Sequence, residues 1–486
     1  MNVYLETGAD KTSLAAIGLP GDSALYSVAT AAPFIPCGYY SGGAGVGGRS
    51  LILSVDGQYL YTNFFGANTT GTGVYGAGNS VIHQCDAPDV FGDAQTFSVA
   101  QRDYNGFWYT TGAATARVAN GVLAGLPLNT ITGLASRLVG AGFRSRSFYW
   151  CELADPFTWN FLSTARVETQ SGNIVALRSY KGLLVIFCEN AIEFWQPTAD
   201  ANNPFAPIIG STIRLGALNT ASTRVFNDSI YFIGSSSGDG VGATDSQFSV
   251  YALHGMQIEK LSSSTVERQW NTAWQYHSGF GRAPRIAGIY SWNGHTFMEI
   301  AHGDNVRNNY IYDAFAQAWT VRRWDAAELN PPHAIVNVSI TNFSIGNVQL
   351  DAMQNSLVGF WCDGTASVKL RNFTEANSTW GAAANPIRYS LTSPHYAQAQ
   401  NYGKMICARL RIDMDIPAGA QGIALEISRD RGITYGSALS ANYGQGSFRA
   451  EWRRLGWARD FVFRISQVGG LFRCLGAVAS LETLDN

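Results

Sequence analysis

The sequence predicts an all-β chain: a β-propeller of six or seven blades, with loop insertions, followed by a C-terminal β-sandwich-like domain. Three observations carry this. Aromatic residues make up 13% and charged residues 14% of the 486 positions, and 52 are glycine, a mixture suited to short strands, tight turns and broad side chains filling layers. Apolar residues rarely recur at helical spacing, whereas short apolar runs between turn signals are frequent. One unit, strand–polar turn–strand, repeats along the chain.

In chain order, residues 1–35 show little turn periodicity and read as an extended lead-in, followed by the glycine-rich loop GYYSGGAGVGGRS. The repeat starts at LILSVDGQYLYTNF, turning at Asp56-Gly57, and returns at Asn105-Gly106, Lys181-Gly182, Asn227-Asp228 and Asn293-Gly294. Asn-Gly and Asp-Gly suit two-residue hairpins because both central positions accept positive φ. Weaker copies centre on Arg146 and Asn355. Several units continue into a second strand pair, so each holds about four strands, the content of a propeller blade. The propeller is therefore placed at 36–375, with ring closure protecting the blade edges; a pair of stacked β-sandwiches is the competing architecture. The polar, small-residue stretch NFTEANSTWGAAANPIRYS marks a boundary. Beyond it, 376–486 forms a C-terminal β-domain of ordinary size, in which Ile412, Met414 and Ile416 alternate with Asp413 and Asp415.

Composition excludes several function classes. A net charge of −2 provides no global basic field for phosphate. The strongest basic cluster, Arg453, Arg454 and Arg459, lies beside Glu451 and Asp460 and reads as an ion-paired surface. Seven dispersed cysteines without a Cys-x-x-Cys pair and seven scattered histidines predict neither a disulfide framework nor a metal site, and no cofactor. The opening MNVYLETGADK does not read as a signal peptide, and no apolar run reaches the ~20 residues of a membrane helix. A soluble chain made in a reducing compartment, without membrane insertion, is expected.

Catalytic signals are equally sparse. ISRDRGITYG fits the Ser-x-Asp-x-Gly-x-Thr-aromatic turn of sialidase-like propellers, through Ser428, Asp430, Gly432, Thr434 and Tyr435. In such a turn the aspartate accepts backbone N–H bonds and the glycine permits the bend, which is fold chemistry. A retaining glycosidase needs two carboxylates about 5 Å apart. Glu152, Asp155, Glu168 and Glu193 are the available acids, but sequence places no pair across a cleft. No nucleophile elbow or phosphate-cradling loop is present. No catalytic residue is assigned.

The most specific pattern lies in residues 143–268. FRSRSFYWCELADPFTWNFLSTARVETQSGNIVALRSYKGLLVIFCENAIEFW resembles the central signature of the packaged-DNA stabilisation proteins of short-tailed bacteriophages, the tail-nozzle or head-completion proteins related to the tail accessory factors. That family carries Arg-x-Arg-x-Tyr-Trp-Ser-Glu-Leu-x-Asp-Pro-x-x-Trp and then an apolar hairpin ending near Glu-x-Trp. Arg144, Arg146, Tyr149, Trp150, Glu152, Leu153, Asp155, Pro156 and Trp159 match it here, followed by Glu193 and Trp195, with Cys151 where serine is common. The opening Asn2-x-Tyr4-x-Glu6, running into Gly18-Leu19-Pro20-Gly21, is similar to the family's start. The likeness is loose over 70–130 and 320–400, regions open to insertions that dock fibres or spikes.

The resemblance implies a non-enzymatic virion tail protein assembled in the host cytoplasm. It implies a homo-oligomeric ring, a hexamer, below the tail adaptor bound to the portal. Such a ring extends the DNA channel, retains the packaged genome and docks tail spikes, fibres, or a tail needle or plug. Genomic double-stranded DNA would pass through a neutral to acidic lumen with weak, non-specific contact, because each neutralised phosphate adds retention. Alternative readings are a sialidase- or lyase-like glycan enzyme and a carbohydrate-binding tail protein. Trp150, Trp159 and Trp195 are expected in layer packing. Arg144, Arg146, Glu152 and Asp155 are expected to form a buried or loop-anchoring polar network.

Overall fold

The structure is a computed structural model. It describes residues 1–7, 14–29, 128–142, 145–168, 172–235, 248–277, 284–301, 308–323, 385–397, 403–415, 419–444 and 446–483; between 34 and 117 and between 334 and 380 it describes the strands alone.

Seven antiparallel sheets follow one another, and their first strands, beginning with Phe34–Tyr40, Ile82–Pro88 and Leu128–Leu134, lie side by side. The series continues through Ile174–Tyr180, Thr223–Phe226 and Arg285–Trp292 to Ala334–Ile340, which returns to the first sheet. The sheets therefore close into a seven-bladed propeller rather than stacked sandwiches. The hairpins follow the turn chemistry. Tyr180 pairs with Leu183 and Trp292 with His295, and Lys181-Gly182 and Asn293-Gly294 all have positive φ, the geometry that matches strand twist. Asp56-Gly57 and Asn105-Gly106 lie outside the described residues, although their flanking strands pair as hairpins. The turn expected at Asn355 is absent. Asn355 lies within the strand Met353–Cys362, where the register slips between Val338 and Ile340 of its partner. The polar pair Gln354-Asn355 thus occupies a bulge, which accommodates an extra residue without reversing the chain.

The first 35 residues are not a separate lead-in. Val3–Thr7 and Leu14–Gly18 form a hairpin that joins Arg473–Thr483, Met405–Met414 and Arg449–Arg453 in one sheet. Gly21–Ala29 becomes the outer strand of the seventh blade, paired with Ser367–Thr374 from Gly21 opposite Thr374 to Ala29 opposite Ser367. The terminal strand thereby covers what would be an open blade edge. A second sheet, Arg388–Thr392, Asp460–Val468, Gln421–Ser428 and Leu439–Tyr443, faces the first across a common core, completing a C-terminal β-sandwich.

The sandwich core is continuous with blade six: Tyr290, Phe297 and Ile311 pack with Tyr4, Tyr389 and Ile412. Beneath this seam is a buried polar network. Tyr290 donates to Glu299 at 2.9 Å, Asn309 donates to Glu299 at 2.6 Å, and Arg322 donates to the Tyr290 oxygen at 2.9 Å. Arg322 also stacks over Phe373 of blade seven, 5.0 Å from the ring centre. The hydrogen bonds hold the strands of blade six together, and the Arg322–Phe373 stacking carries that network onto blade seven.

Asn2 completes the clasp. Its Oδ1 accepts the Arg323 N–H at 2.7 Å and its Nδ2 donates to the Arg388 carbonyl at 2.8 Å, tying blade six to the sandwich. Its φ is 56°, a conformation asparagine tolerates better than most residues. Asn2→Ala removes both bonds and adds backbone strain, so it lowers unfolding free energy by ~2–4 kcal/mol. A denaturant midpoint unchanged from the parent protein contradicts the clasp.

Candidate functional site: the seams between blades

The signature segment builds the seam between blades three and four. On the strand Ser147–Glu152, Phe148 and Trp150 alternate inward. Phe148 meets Trp195 edge-on at 5.0 Å between ring centres, and Trp150 meets Phe205 at 5.7 Å. Edge-to-face pairs of this kind are worth ~0.5–1.5 kcal/mol beyond area burial. Val139, Ile174, Leu184 and Ile186 fill the same cluster. Trp159, also buried, donates its indole N–H to the Pro156 carbonyl at 2.9 Å.

Glu193 fastens this seam from blade four. Buried itself, it accepts the Glu168 backbone N–H at 2.9 Å and the Trp195 indole N–H at 3.1 Å. Asp155 accepts the N–H groups of Phe157 and Thr158 at 3.0 and 3.2 Å, closing its own turn. Glu152 is 3.9 Å from Arg137. Arg144 lies outside the described residues, and Arg146 stands at the opposite end of the strand Ser147–Glu152 from the two acids. The expected network of Arg144, Arg146, Glu152 and Asp155 is therefore not assembled among the described residues. The reason is geometric: a six-residue strand rising ~3.3 Å per residue separates its members.

The seams hold a second set of ties that sequence reasoning missed. In the first strand of blade three, the hydroxyls of Thr130 and Thr132 accept the backbone N–H groups of Leu177 and Ser179 in blade four at 3.1 and 3.0 Å. Arg178, buried in that same blade-four strand, donates to the carbonyls of Thr220 and Thr223 in blade five, both at 2.9 Å. Thr220 returns a bond to the Val175 carbonyl at 2.7 Å. Gly216 approaches so closely that a Cβ there would lie 1.7 Å from the Glu189 carbonyl oxygen. The sequence held one cue, a lone arginine in the apolar run IVALRSYKGLL. A buried guanidinium must find acceptors, and neighbouring-blade carbonyls are the nearest supply.

These groups hold the fold together, and the thiols are not poised for attack. Burial pushes Cys151 up to about 12 and Cys188 well above its ordinary value, so both stay protonated near neutrality. No group of three or more metal-ligating side chains occurs among the described residues. No described helix is long and apolar enough to cross a membrane. At the sialidase-like turn, Asp430 accepts from the Thr434 backbone N–H at 2.8 Å and from the Ser428 hydroxyl at 2.7 Å, and Gly432 N–H donates to Ser428 at 2.8 Å. Bonds from the Thr434 and Ser428 hydroxyls lower the Asp430 carboxyl to about 2. Because this pKa is depressed, the turn's contribution is present at neutral pH and is lost as pH falls toward 2. The motif joins Gln421–Ser428 to Leu439–Tyr443 in the sandwich, outside the propeller.

Fold and seam together define a β-propeller whose polar and aromatic side chains hold neighbouring blades together. Residues 106–275 match the family described as "Phage_stabilise: Bacteriophage P22 Gp10, beta-propeller". The match contains the signature region 143–268 and supports the phage tail and DNA-stabilisation resemblance. No curated protein matches the chain. A solved structure, "Crystal structure of BBS1N in complex with ARL6DN, soaked with lead", is similar at a TM-score of 0.42 and 9% identity, covering 73% of this chain and 97% of that one.

Arg178→Met keeps bulk but removes every donor to the blade-five carbonyls. Stripping charged hydrogen bonds from buried acceptors costs ~3 kcal/mol, so the thermal midpoint falls by several degrees in calorimetry. A variant melting with the parent shows that the guanidinium does not tie the blades.

Proposed function

We propose that the chain is a subunit of a phage tail nozzle: a ring, hexameric by resemblance, stacked below the portal-bound adaptor. It extends the DNA channel, helps retain the packaged genome and carries spikes, fibres, or a needle or plug on its outer loops. Its role is mechanical, with no bond made or broken by its side chains. The observation that carries this reading is the family match over residues 106–275, which coincides with the packed seam between blades three and four. A propeller suits the task because radially packed sheets are stiff while their loops vary without disturbing the core. A ring of identical subunits needs heterologous side-to-side contacts whose rotation closes.

The net charge of −2 fits a conduit that lets DNA slide, since fewer neutralised phosphates mean weaker, salt-sensitive retention. Virions from a mutant phage lacking this protein provide the test by electron microscopy. Filled heads that leak genome through truncated tails are expected. Complete tails with retained genome would remove the nozzle role.

A further inference from the structure

Among the described residues, one surface of the C-terminal sandwich stands apart. The tryptophans that build the seams and cores, including Trp150, Trp159, Trp195, Trp270 and Trp452, are buried, whereas Trp457 is 56% exposed. It lines a cleft of about 690 Å³ with Lys404, Arg429, Arg459 and Asp460, floored at Gly456. That volume falls in the range of small-ligand sites.

The cleft is constructed rather than incidental. Trp457 sits on a short strand, opposite Ile406 of Met405–Met414, so its backbone is fixed by the sheet. The Lys404 ammonium lies over the indole, 4.5 Å from the ring centre, a cation–π contact that pairs the two side chains. The Arg429 guanidinium donates to the Leu455 carbonyl at 3.0 Å, which anchors it against the floor. Asp460, the one acid in the lining, already has partners: His395 hydrogen-bonds to it and Arg431 lies at 3.8 Å. Of the basic cluster read as ion-paired from sequence, Arg453 does pair with Glu451 at 2.5 Å. Arg459 instead lines the cleft. The walls thus present three cations and a flat aromatic face, with the only carboxylate already occupied.

We propose that this cleft binds an anionic saccharide, a sugar ring bearing a carboxylate or a phosphate. The apolar face of the sugar would lie on Trp457, and Lys404, Arg429 and Arg459 would take the acidic group. Aromatic side chains with one wet edge serve as such platforms, and guanidinium forks match carboxylate and phosphate oxygens. A neutral sugar would leave the cations unused. A nucleic acid strand needs a basic track longer than one cleft, which a chain of net charge −2 does not supply. This inference stands on the cleft alone and does not depend on the nozzle reading.

Isothermal titration calorimetry on the full chain tests it, with trigalacturonic acid as the carboxylate probe and glucose 6-phosphate as the phosphate probe. Maltotriose, inorganic phosphate and a single-stranded oligothymidylate serve as competitors. At least one charged saccharide should bind more tightly than all three competitors, and the stronger probe identifies the acidic group. Trp457→Ala should weaken that binding about tenfold, as loss of a stacking platform does. Arg459→Ser, at an exposed position, should weaken it comparably and serves if the tryptophan variant does not fold. Absence of binding by both charged saccharides at millimolar concentration overturns the proposal. So does affinity unchanged in the variants, or stronger binding of maltotriose, phosphate or the oligonucleotide.

Discussion

The pairing of Gly21–Ala29 with Ser367–Thr374 fastens the two ends of the ring of sheets, whose first strands Ala334–Ile340 and Phe34–Tyr40 also meet. Without it the seventh blade ends in an open edge and loses the strand that leads directly into the first blade. Residues more than 300 positions apart must meet to form this contact, so closure carries a large loop entropy cost. What offsets that cost is distributed. The seams joining blades three, four and five contribute aromatic packing, side-chain bonds to the next blade's backbone, and apolar area removed from water. The N-terminal segment also enters the sandwich sheet through Val3–Thr7 and Leu14–Gly18. One stretch of chain therefore locks both halves of the molecule.

The energetic weight falls on groups that bridge sheets. Thr130, Thr132, Arg178 and Thr220 exchange bonds across two seams, Glu193 joins the signature strand region to blade four, and Asn2 joins blade six to the sandwich. Each is polar and satisfied by partners distant in sequence. A wheel built this way resists shear between blades, because sliding one sheet would strand buried donors and acceptors together. The sequence signature thus lies at a packed, cross-bonded seam between two blades.

Much of this was legible in the residues. Lys181-Gly182 and Asn293-Gly294 mark their hairpins locally with a glycine at positive φ, and Asn227-Asp228 does so through Asn227 alone. The aromatic signature is readable because Trp150, Trp159 and Trp195 recur within strands. The closure strand was not, since GDSALYSVA contains nothing that says its partner lies at 367–374. Strand pairing across such a distance is set by tertiary context, not by local pattern. The bulge at Gln354-Asn355 imitates a turn because both use polar residues to interrupt an apolar run. The helix Ser264–His277 offered a cue in the serine run Ser262-Ser263-Ser264, where Ser263 precedes the first turn, hidden among the strands around it. The Trp457 cleft escaped sequence reading because Lys404 and Arg429 approach it from just beyond the ends of two separate strands, Met405–Met414 and Gln421–Ser428.

Hydrogen exchange measured by mass spectrometry on the intact protein probes the closure directly. Amides of Gly21–Ala29 should exchange as slowly as those of the blade-four strands Ile174–Tyr180 and Leu183–Cys188, through one common unfolding event. Rapid exchange at 21–29 while blade four stays protected would show that the ring holds without its terminal strand, and the account of closure would be wrong.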